Sequence, residues 1–304
     1  MSISSFLTKK FLKSLFFPAH NRGKALPKGL IRLLKKQPGF WDLPELPEIG
    51  SPLSNSGLIH DAQISISKKV NSRNCFFGVN GASGLIQSGV IAMANPGEYI
   101  LMPRNVHISV IKACALQNII PIFFDIEFST ETGHYMPITK KWFINIFNNI
   151  DFDRKKIVGV ILVSPYYQGY ATNLEPLIEI CHQHDLPVLV DEAHGSYFLF
   201  CENYNLPKSA LRSKADLVVH SLHKSLNGLT QTAVIWRNGD LVEENKLIKS
   251  LNLLQTTSPN SLLLSSCEES IKDWLNKDNL NKYKKRISAV SYTHLTLPTK
   301  FVVW

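Results

Sequence analysis

The sequence predicts an α/β fold, a three-layer sandwich in which helices cover both faces of a mostly parallel sheet. From Cys75 onward, short runs rich in β-branched and aromatic residues alternate with amphipathic segments, which is the pattern of repeated β-α-β units. The longest apolar runs, such as IVGVILV at 157–163, have the length of a strand and fall short of the roughly 18 residues that a membrane-spanning helix needs. We therefore expect a protein that neither spans nor binds a membrane.

Seven runs are predicted strands, and three of the segments between them have helical spacing. In such sheets, ligands bind at the carboxyl ends of the strands. Asp191, Ser221 and the turn after Asn80 all follow predicted strands, so this edge is the predicted site. The strands are CFFGVN, EYILMP, IPIFFD, KIVGVILVSP, LPVLVDE, ADLVVHS and QTAVIWR, and the helices are SGLIQSGVIAMAN, HISVIKACALQN and NLEPLIEICHQHD.

The formal charge of +9 is concentrated near the N-terminus, because residues 1–40 contain nine basic residues and no acidic one. The rest of the chain is balanced, so we predict a basic arm over residues 1–55 and no basic body that would dock on nucleic acid. Phe6, Leu12, Leu15 and Phe16 would pack the arm on an apolar surface; nucleic-acid or lipid binding is the alternative. The basic residues are Lys9, Lys10, Lys13, Arg22, Lys24, Lys28, Arg32, Lys35 and Lys36.

The cysteines and the N-terminus both indicate a reducing, cytoplasmic location. The five cysteines are odd in number and form no CxxC pair, so they are predicted to be reduced thiols. Lysines interrupt the segment FLTKKFLKSLFF, and arginine is absent from it, which is typical of neither a secretory signal nor a transit peptide.

The first strand leads into the glycine-rich turn GVNGASGLIQSG. A turn of this kind exposes backbone N–H groups at the start of a helix, where the helix dipole favours a phosphate. Ser83 can add a hydroxyl donor, although plain connection chemistry is an alternative reading of such a turn. The sequence contains no GxxxxGK[ST], so a P-loop is excluded, and the letters DEAH are not a helicase motif.

Asp191 and Lys224 supply the two charges that a pyridoxal-phosphate (PLP) enzyme needs. Each follows an apolar run, LPVLV for the aspartate and ADLVV for the lysine. A lysine amine can form a Schiff base with the cofactor aldehyde, and a buried aspartate can hold the pyridinium protonated. At an effective dielectric near 20, such a contact pair contributes roughly 4 kcal/mol before desolvation. A turn cap for Asp191 and a surface position for Lys224 are the ordinary alternatives.

Eight motifs occur in an order that resembles the major domain of the Orn/Lys/Arg decarboxylases, in the shorter group without an N-terminal wing domain. The resemblance extends from about Phe17 to about Leu275. It implies the PLP-dependent transferase fold of type I, and decarboxylation of lysine, ornithine or arginine to a polyamine-type amine. The motifs are PAHNRG, DLPELPEIG, FGVNGASG, PRNVHISV, VSPYYQGY, VDEAHG, SLHKSLNGLTQ and QTTSPN.

The resemblance implies roles around the cofactor ring. Lys224 matches the Schiff-base lysine, and Asp191 matches the partner of the ring nitrogen. His107 resembles the imidazole that stacks on one face of the ring, and Ala193 would fill the other face. Such stacking holds the ring so that the scissile bond can be oriented.

The resemblance also implies a phosphate cradle and a subunit interface. Ser83, the N–H of Gly84, and Ser221 resemble the cradle. His223 matches the histidine beside the lysine, and would either contact phosphate or protonate the product carbanion. Ser258 would approach the phosphate of a neighbouring subunit. Because the active sites of this fold form between subunits, the resemblance implies a homodimer or higher homo-oligomer.

Several positions depart from the family pattern, which leaves the substrate open. The chain has SPYYQG where the family usually has SPTYEG, PAHNRG in place of PGHKxG, and Gly50-Ser51-Pro52-Leu53 where an acidic pair is common. His20 and Arg22 could contact substrate or a partner subunit, and the role of His194 stays open. An aminotransferase, an α-oxoamine synthase, or a fragment that binds PLP without turnover are the alternatives.

The C-terminal end differs in character from the rest of the chain. From Val290, the letters VSYTHLTLPTK resemble the translation of a transposon-type sequencing adapter. We therefore expect residues 56–289 to be the PLP-binding large domain, incomplete at its end and without its small C-terminal domain, and residues 290–304 to be non-native. The activity of such a fragment is left open.

No metal site is predicted. Cys181, His182 and His184 imitate a cluster of ligands, but they stand at the end of an amphipathic helix and no second cluster has suitable spacing.

Overall fold

The computed structural model describes residues 18–150, 157–201 and 206–282. The apolar residues expected to anchor the N-terminal arm (Phe6, Leu12, Leu15 and Phe16) and the segment 290–304 lie outside the described residues.

A central sheet of seven strands confirms all seven strand predictions. Two further short strands, β4 and β5, pair separately as an antiparallel hairpin. The strands in chain order are β1 (Asn74–Gly78), β2 (Tyr99–Pro103), β3 (Ile120–Phe124), β4 (Phe128–Ser129), β5 (His134–Tyr135), β6 (Ile157–Val163), β7 (Val188–Asp191), β8 (Leu217–Ser221) and β9 (Ala233–Arg237).

The central sheet has the strand order β1-β9-β8-β7-β6-β2-β3. Strands β8, β7, β6, β2 and β3 run parallel to one another, and β9 runs antiparallel to both β1 and β8. The sheet is therefore mostly parallel, as the sequence predicts. The carboxyl ends of β6, β7 and β8 lie side by side at one edge.

Helices cover both faces of the sheet. They include the three predicted helices, which form α3, α4 and α6. The helices are α1 (Lys28–Leu34), α2 (Leu58–Val70), α3 (Gly81–Met93), α4 (Ile108–Gln117), α5 (Lys140–Asn148), α6 (Glu175–His182), α7 (Leu222–Ser225), α8 (Glu244–Leu254) and α9 (Ser261–Leu275), with a 3-10 helix at Ser196–Phe200.

Each face of the sheet carries its own hydrophobic core. On one face, α3, α4 and α8 pack around fully buried residues such as Leu85 and Val110. On the other face, α2, α5, α6 and α9 enclose Phe143, Leu177 and Trp236. The strands contribute side chains alternately to both cores, so their residues are buried on both faces, which explains the near-continuous apolar runs in the sequence.

The described part of the predicted basic arm packs on this domain. Leu30 of α1 is fully buried, and α1 contacts α9. The amide of Ala19 donates to the carbonyl of His223 at 2.8 Å. Residues 18–34 therefore reach the segment that carries Lys224. Within the described ranges, none of the helices is long and apolar enough to cross a membrane.

Candidate active site

A cavity of about 330 Å³ opens at the carboxyl ends of β6, β7 and β8, where the sequence places the site. It gathers seven of the eight predicted site residues: Ser83, His107, Asp191, Ala193, Ser221, His223 and Lys224. Gly84 is buried and is not part of the cavity wall. The remaining lining residues are Gly81, Ala82, Ile86, Asn105, Val163, Pro165, Tyr167 and His194.

Lys224 lies on the short helix α7, which begins directly after β8. Its Nζ atom lies 3.0 Å from Nε2 of His194. Burial lowers the pKa of the Lys224 amine, and the Asp191 charge opposes that shift. A lowered pKa leaves a larger fraction of the amine uncharged at neutral pH, and the uncharged amine is the nucleophile that condenses with aldehydes.

Asp191 is the last residue of β7, and its carboxylate is a buried charge at the cavity. Oδ1 accepts a hydrogen bond from the amide of Ala193 at 3.1 Å. Burial raises the pKa of Asp191, while that amide bond and the positive charge of Lys224 act in the opposite direction. Among the described residues, no lysine or arginine forms an ion pair with it. A buried carboxylate of this kind is stabilised by a cation in the cavity.

His107 is held at the cavity wall by its own helix. It is the N-cap residue of α4, where its Nδ1 accepts from the amide of Ser109 at 3.2 Å and lies 2.8 Å from the Ser109 hydroxyl. A backbone amide only donates, so Nδ1 carries no proton and the ring proton belongs to Nε2. The cap fixes the ring orientation. Its stacking on a ligand ring, opposite Ala193, stays a prediction.

The start of α3 supplies donors at one end of the cavity. The amide of Gly81 donates to the carbonyl of Gln231 at 2.9 Å, and its φ of +71° suits glycine. The next two amides, of Ala82 and Ser83, have no acceptor within the helix. The Gly84 amide stands one residue further, where an α-helix already bonds it to Asn80. The free amides near the cavity are therefore those of residues 82 and 83, rather than residue 84.

Ser221 and His223 complete this end of the cavity. The Ser221 hydroxyl lies 3.2 Å from Nδ1 of His223. Burial lowers the pKa of His223, so its ring is mostly neutral at neutral pH. An unpaired helix start with two nearby hydroxyls is a suitable environment for a phosphate.

Sequence reasoning missed the contact of His194 with Lys224 and the position of Tyr167. The pKa of His194 is lowered to about 4, first by burial and then by the positive charge of Lys224. The Tyr167 ring meets the His194 ring edge to face, with centroids 5.6 Å apart, and is 82% exposed at the cavity mouth. The signal for His194 was its place in VDEAHG, which left its role open.

Three other predicted positions lie outside the cavity wall. Ser258 is exposed, and its amide donates to Oγ1 of Thr256 at 3.2 Å. Nδ1 of His20 accepts from the amide of Gly23 at 2.9 Å. Arg22 belongs to the same turn and does not line the cavity.

The ICHQHD segment is a helix end, as expected. Helix α6 ends at His182, whose Nε2 lies 2.9 Å from Oδ2 of the buried Asp216. Cys181 is fully buried in the core. Across residues 18–150, 157–201 and 206–282, the structure contains no group of three or more potential metal ligands.

A second, larger cavity of about 500 Å³ lies near the amino ends of β6 and β7, against Ile157 and Pro187. It is therefore at the opposite edge from Lys224 and Asp191. Because ligands in sheets of this class bind at the carboxyl ends of the strands, the smaller cavity is the candidate active site.

The fold is the one that PLP-dependent enzymes of fold type I adopt. Lysine decarboxylase LdcF of Francisella novicida superposes with a TM-score of 0.74 at 22% identity, over 98% of this chain and 44% of that chain. Serine palmitoyltransferase from S. paucimobilis superposes with a TM-score of 0.62 at 17% identity, over 86% of this chain and 63% of that chain. At these identities, the likeness shows the fold.

Sequence similarity identifies the family. Residues 18–294 match the family described as Orn/Lys/Arg decarboxylase, major domain, and the chain belongs to that family. It is 31% identical to arginine decarboxylase of Bacillus subtilis (strain 168) over 255 residues, covering 84% of this chain and 51% of that protein. It is 25% identical to lysine decarboxylase LdcA of Pseudomonas aeruginosa over 213 residues, covering 62% of this chain and 27% of that protein. The chain spans about half the length of the arginine decarboxylase.

The residues present fit the cofactor that this fold class implies. PLP carries an aldehyde, a ring nitrogen that is cationic when protonated, and a phosphate. The cavity presents an amine at Lys224, a buried carboxylate at Asp191 that has no ion pair within the described part of the chain, and free amides with a hydroxyl at residues 82 and 83. Each group of the cofactor therefore has a chemically matched partner.

Proposed function

We propose that this chain is the cofactor-binding part of a PLP-dependent decarboxylase that acts on lysine, ornithine or arginine and releases CO₂ and the corresponding amine. The observation that carries the proposal is the shared cavity of Lys224 and Asp191, in which a nucleophilic amine and a buried carboxylate line one ligand-sized space. The curated relatives include proteins named arginine decarboxylase and lysine decarboxylase, which supports a basic amino acid as substrate.

In this proposal, each residue has one task. With PLP bound, Lys224 would hold its aldehyde carbon, and Asp191 would keep its ring nitrogen protonated. The amides of residues 82 and 83, with the hydroxyls of Ser83 and Ser221, hold the phosphate. His223 supports that end through its hydrogen bond with Ser221.

Bound PLP supplies a conjugated ring that accepts the electron pair left behind when CO₂ departs. His107 and Ala193 line the same cavity and would pack against the bound ring, which would leave the substrate carboxylate to be oriented by the rest of the site. With PLP and substrate bound, Lys224 would also be placed in the cavity to return a proton from Nζ to the substrate Cα. His194 accepts a hydrogen bond from the same Nζ and holds it in the cavity.

The assembly that we propose is a homodimer or higher homo-oligomer in the cytoplasm, producing amines of the polyamine type. Exposed apolar side chains between residues 40 and 58 support an interface between subunits: Phe40 is 63% exposed and Leu58 is 67% exposed, with Leu43 and Leu46 between them. Apolar groups clustered on a surface in this way often mark protein contacts. Sedimentation of the purified chain with PLP tests this assembly, and a monomer at all concentrations would contradict it.

The experiment for the reaction combines a product assay with a binding assay. Purified protein is incubated with PLP and each of lysine, ornithine and arginine, and CO₂ and amine are measured. Decarboxylase activity predicts both products in equal amounts. Pyridoxamine phosphate would instead indicate an aminotransferase, and a stable absorbance band without product would indicate a binding protein.

A lysine variant with a matched control tests the site itself. In Lys224→Ala, the yellow imine absorbance and labelling by borohydride reduction should both be lost, because no other amine lines the cavity among the described residues. Lys112→Ala, which removes a lysine of α4 outside the cavity, should retain both signals. Unchanged absorbance and trapping in the Lys224 variant would refute the proposal.

A further inference from the structure

A chain of buried hydrogen bonds lies directly behind the candidate site. Nε1 of Trp236 donates to Nδ1 of His220 at 2.9 Å. Nε2 of His220 lies 2.8 Å from Oε2 of Glu192, and Oε1 of Glu192 accepts from the amide of Ala210 at 2.9 Å. Trp236 and His220 are 0% exposed and Glu192 is 1% exposed, so these bonds are shielded from bulk solvent.

The direction of every bond in this chain is determined by its ends. The indole of Trp236 can only donate, so Nδ1 of His220 carries no proton and its Nε2 must be the protonated nitrogen. Nε2 therefore donates to Glu192. The amide of Ala210 also only donates, so both oxygens of Glu192 face a donor.

This series of hydrogen bonds connects the two strand ends that carry the site. Glu192 directly follows Asp191, and His220 directly precedes Ser221. The amide of Glu192 donates to the carbonyl of Val219 at 3.1 Å, so the two strands are already in contact at this point. A shift of the Glu192 backbone would therefore displace its neighbour Asp191, and a shift of the His220 backbone would displace its neighbour Ser221.

We propose that Glu192, His220 and Trp236 form a positioning network that fixes the separation of Asp191 and Ser221, and that Trp236 sets its polarity by selecting the tautomer of His220. The inference rests on the proposed function, in which those two residues hold opposite ends of PLP. None of the three network residues lines the cavity, so they act through their neighbours.

Burying the polar groups of Glu192 and His220 costs desolvation free energy. Burial raises the pKa of Glu192, and its bonds to His220 and Ala210 oppose that rise. Well-packed apolar residues at buried sites are often as stable as a buried polar pair, or more stable. A satisfied polar network instead specifies one geometry, because every member must keep its partner.

Replacing one acceptor of the network with a donor tests its polarity. In Glu192→Gln, one end of the side chain becomes an NH₂ group, which must face either Nε2–H of His220 or the amide of Ala210. Both are donors, so this variant should weaken PLP binding by about ten-fold or more. Trp236→Phe alone removes one hydrogen bond to a neutral ring, and we expect it to weaken PLP binding by about three-fold.

The double variant gives the decisive result. Without the indole donor, His220 can place its proton on Nδ1, and its free Nε2 can accept from the new side-chain amide at position 192. Glu192→Gln with Trp236→Phe should therefore bind PLP more tightly than Glu192→Gln alone. A packing role predicts the opposite, because two damaged core positions are then worse than one. The matched control combines Glu192→Gln with Trp142→Phe, which removes an indole bond to the Asp125 carbonyl on another part of the domain. That control should bind PLP no more tightly than Glu192→Gln alone.

Two readouts that need no PLP separate this inference from the proposed function. Nitrogen NMR of the ligand-free chain should show His220 with an unprotonated Nδ1 and a protonated Nε2, and the other tautomer or a doubly protonated ring would overturn the network. The unfolding free energy of the ligand-free variants should show the same rescue. If the wild-type chain binds no PLP but the tautomer and the rescue are as expected, the proposed function fails and the polarity of the network stands.

Discussion

The amine nitrogen of Lys224 lies 3.0 Å from Nε2 of His194, and a protonated lysine can only donate in this contact. The pKa of His194 is lowered to about 4, so the imidazole is neutral and accepts the bond at neutral pH. A carboxylate in the same place would raise the pKa of the lysine and hold its proton. A neutral imidazole orients the amine toward the cavity and still allows it to lose that proton, which suits a nucleophile.

This pairing predicts a pH dependence of stability. An unfolded histidine titrates near pH 6.5, so between about pH 4 and 6.5 the unfolded chain binds the His194 proton and the folded chain does not. The unfolding free energy should therefore rise with pH through this window and reach its full value above it. In His194→Gln, which keeps a hydrogen-bond acceptor, this part of the slope should disappear. Urea unfolding without PLP at several pH values measures it.

The control for that prediction is His60→Gln on α2, outside the cavity, which should retain the wild-type slope. Equal slopes in wild type and the His194 variant would contradict the assignment.

Asp191 predicts a conflict between stability and binding. Because burial raises its pKa, the ionised carboxylate destabilises the ligand-free fold at pH values above the usual aspartate range. Asp191→Asn should increase the unfolding free energy of the ligand-free chain at neutral pH by about 1 kcal/mol, a typical size for one substitution. The gain should vanish below about pH 4, where both states are protonated.

The same variant should bind PLP about ten-fold or more weakly, because the cation of the ring loses its partner. Denaturant unfolding and titration of cofactor absorbance give the two values. Asp61→Asn, an exposed aspartate of α2, should change neither. A variant that lost stability without PLP would show that the carboxylate is structural.

Gly57 predicts a local backbone requirement at the start of α2. Its φ is +97°, and an added Cβ would lie 2.8 Å from the carbonyl oxygen of Ile49. Gly57→Ala should therefore lower the unfolding free energy by about 1–3 kcal/mol. Gly97→Ala is the matched control, since its φ is +83° but nothing lies within 4 Å of the added atom. Thermal unfolding should show a clearly larger loss for residue 57, and equal losses would indicate that the contact with Ile49 relaxes freely.

The sheet could be predicted from sequence because its strands are apolar on both faces. Runs such as IVGVILV are buried between two helical layers. A short, continuous apolar run is typical of a strand in a parallel sheet that is covered on both faces. The reversal of β9 could not be predicted, because an antiparallel strand buried on both faces has the same composition as a parallel one.

The positions of Asp191 and Ser221 were predictable because each ends a strand at the same edge of the sheet. The contact of His194 with Lys224 was not, because it depends on two side-chain conformations from separate loops. The role of the Gly84 amide stays a prediction, because Gly84 lies one residue beyond the amides that the helix leaves free. A glycine-rich turn indicates a helix start, but only the structure shows that the helix begins at Gly81, and one residue decides which amides stay free.

The connection that carries Lys224 is secured at both ends. It leaves the sheet at Ser221 and returns at Ala233, and those two residues are paired across β8 and β9. The amide of Leu222 donates to the carbonyl of Thr232 at 3.0 Å, which closes the base of the loop. The lysine side chain therefore moves on a stationary base. Nζ of Lys224 can therefore move within the cavity by rotation about side-chain bonds alone, which is far faster than the rearrangement of a loop.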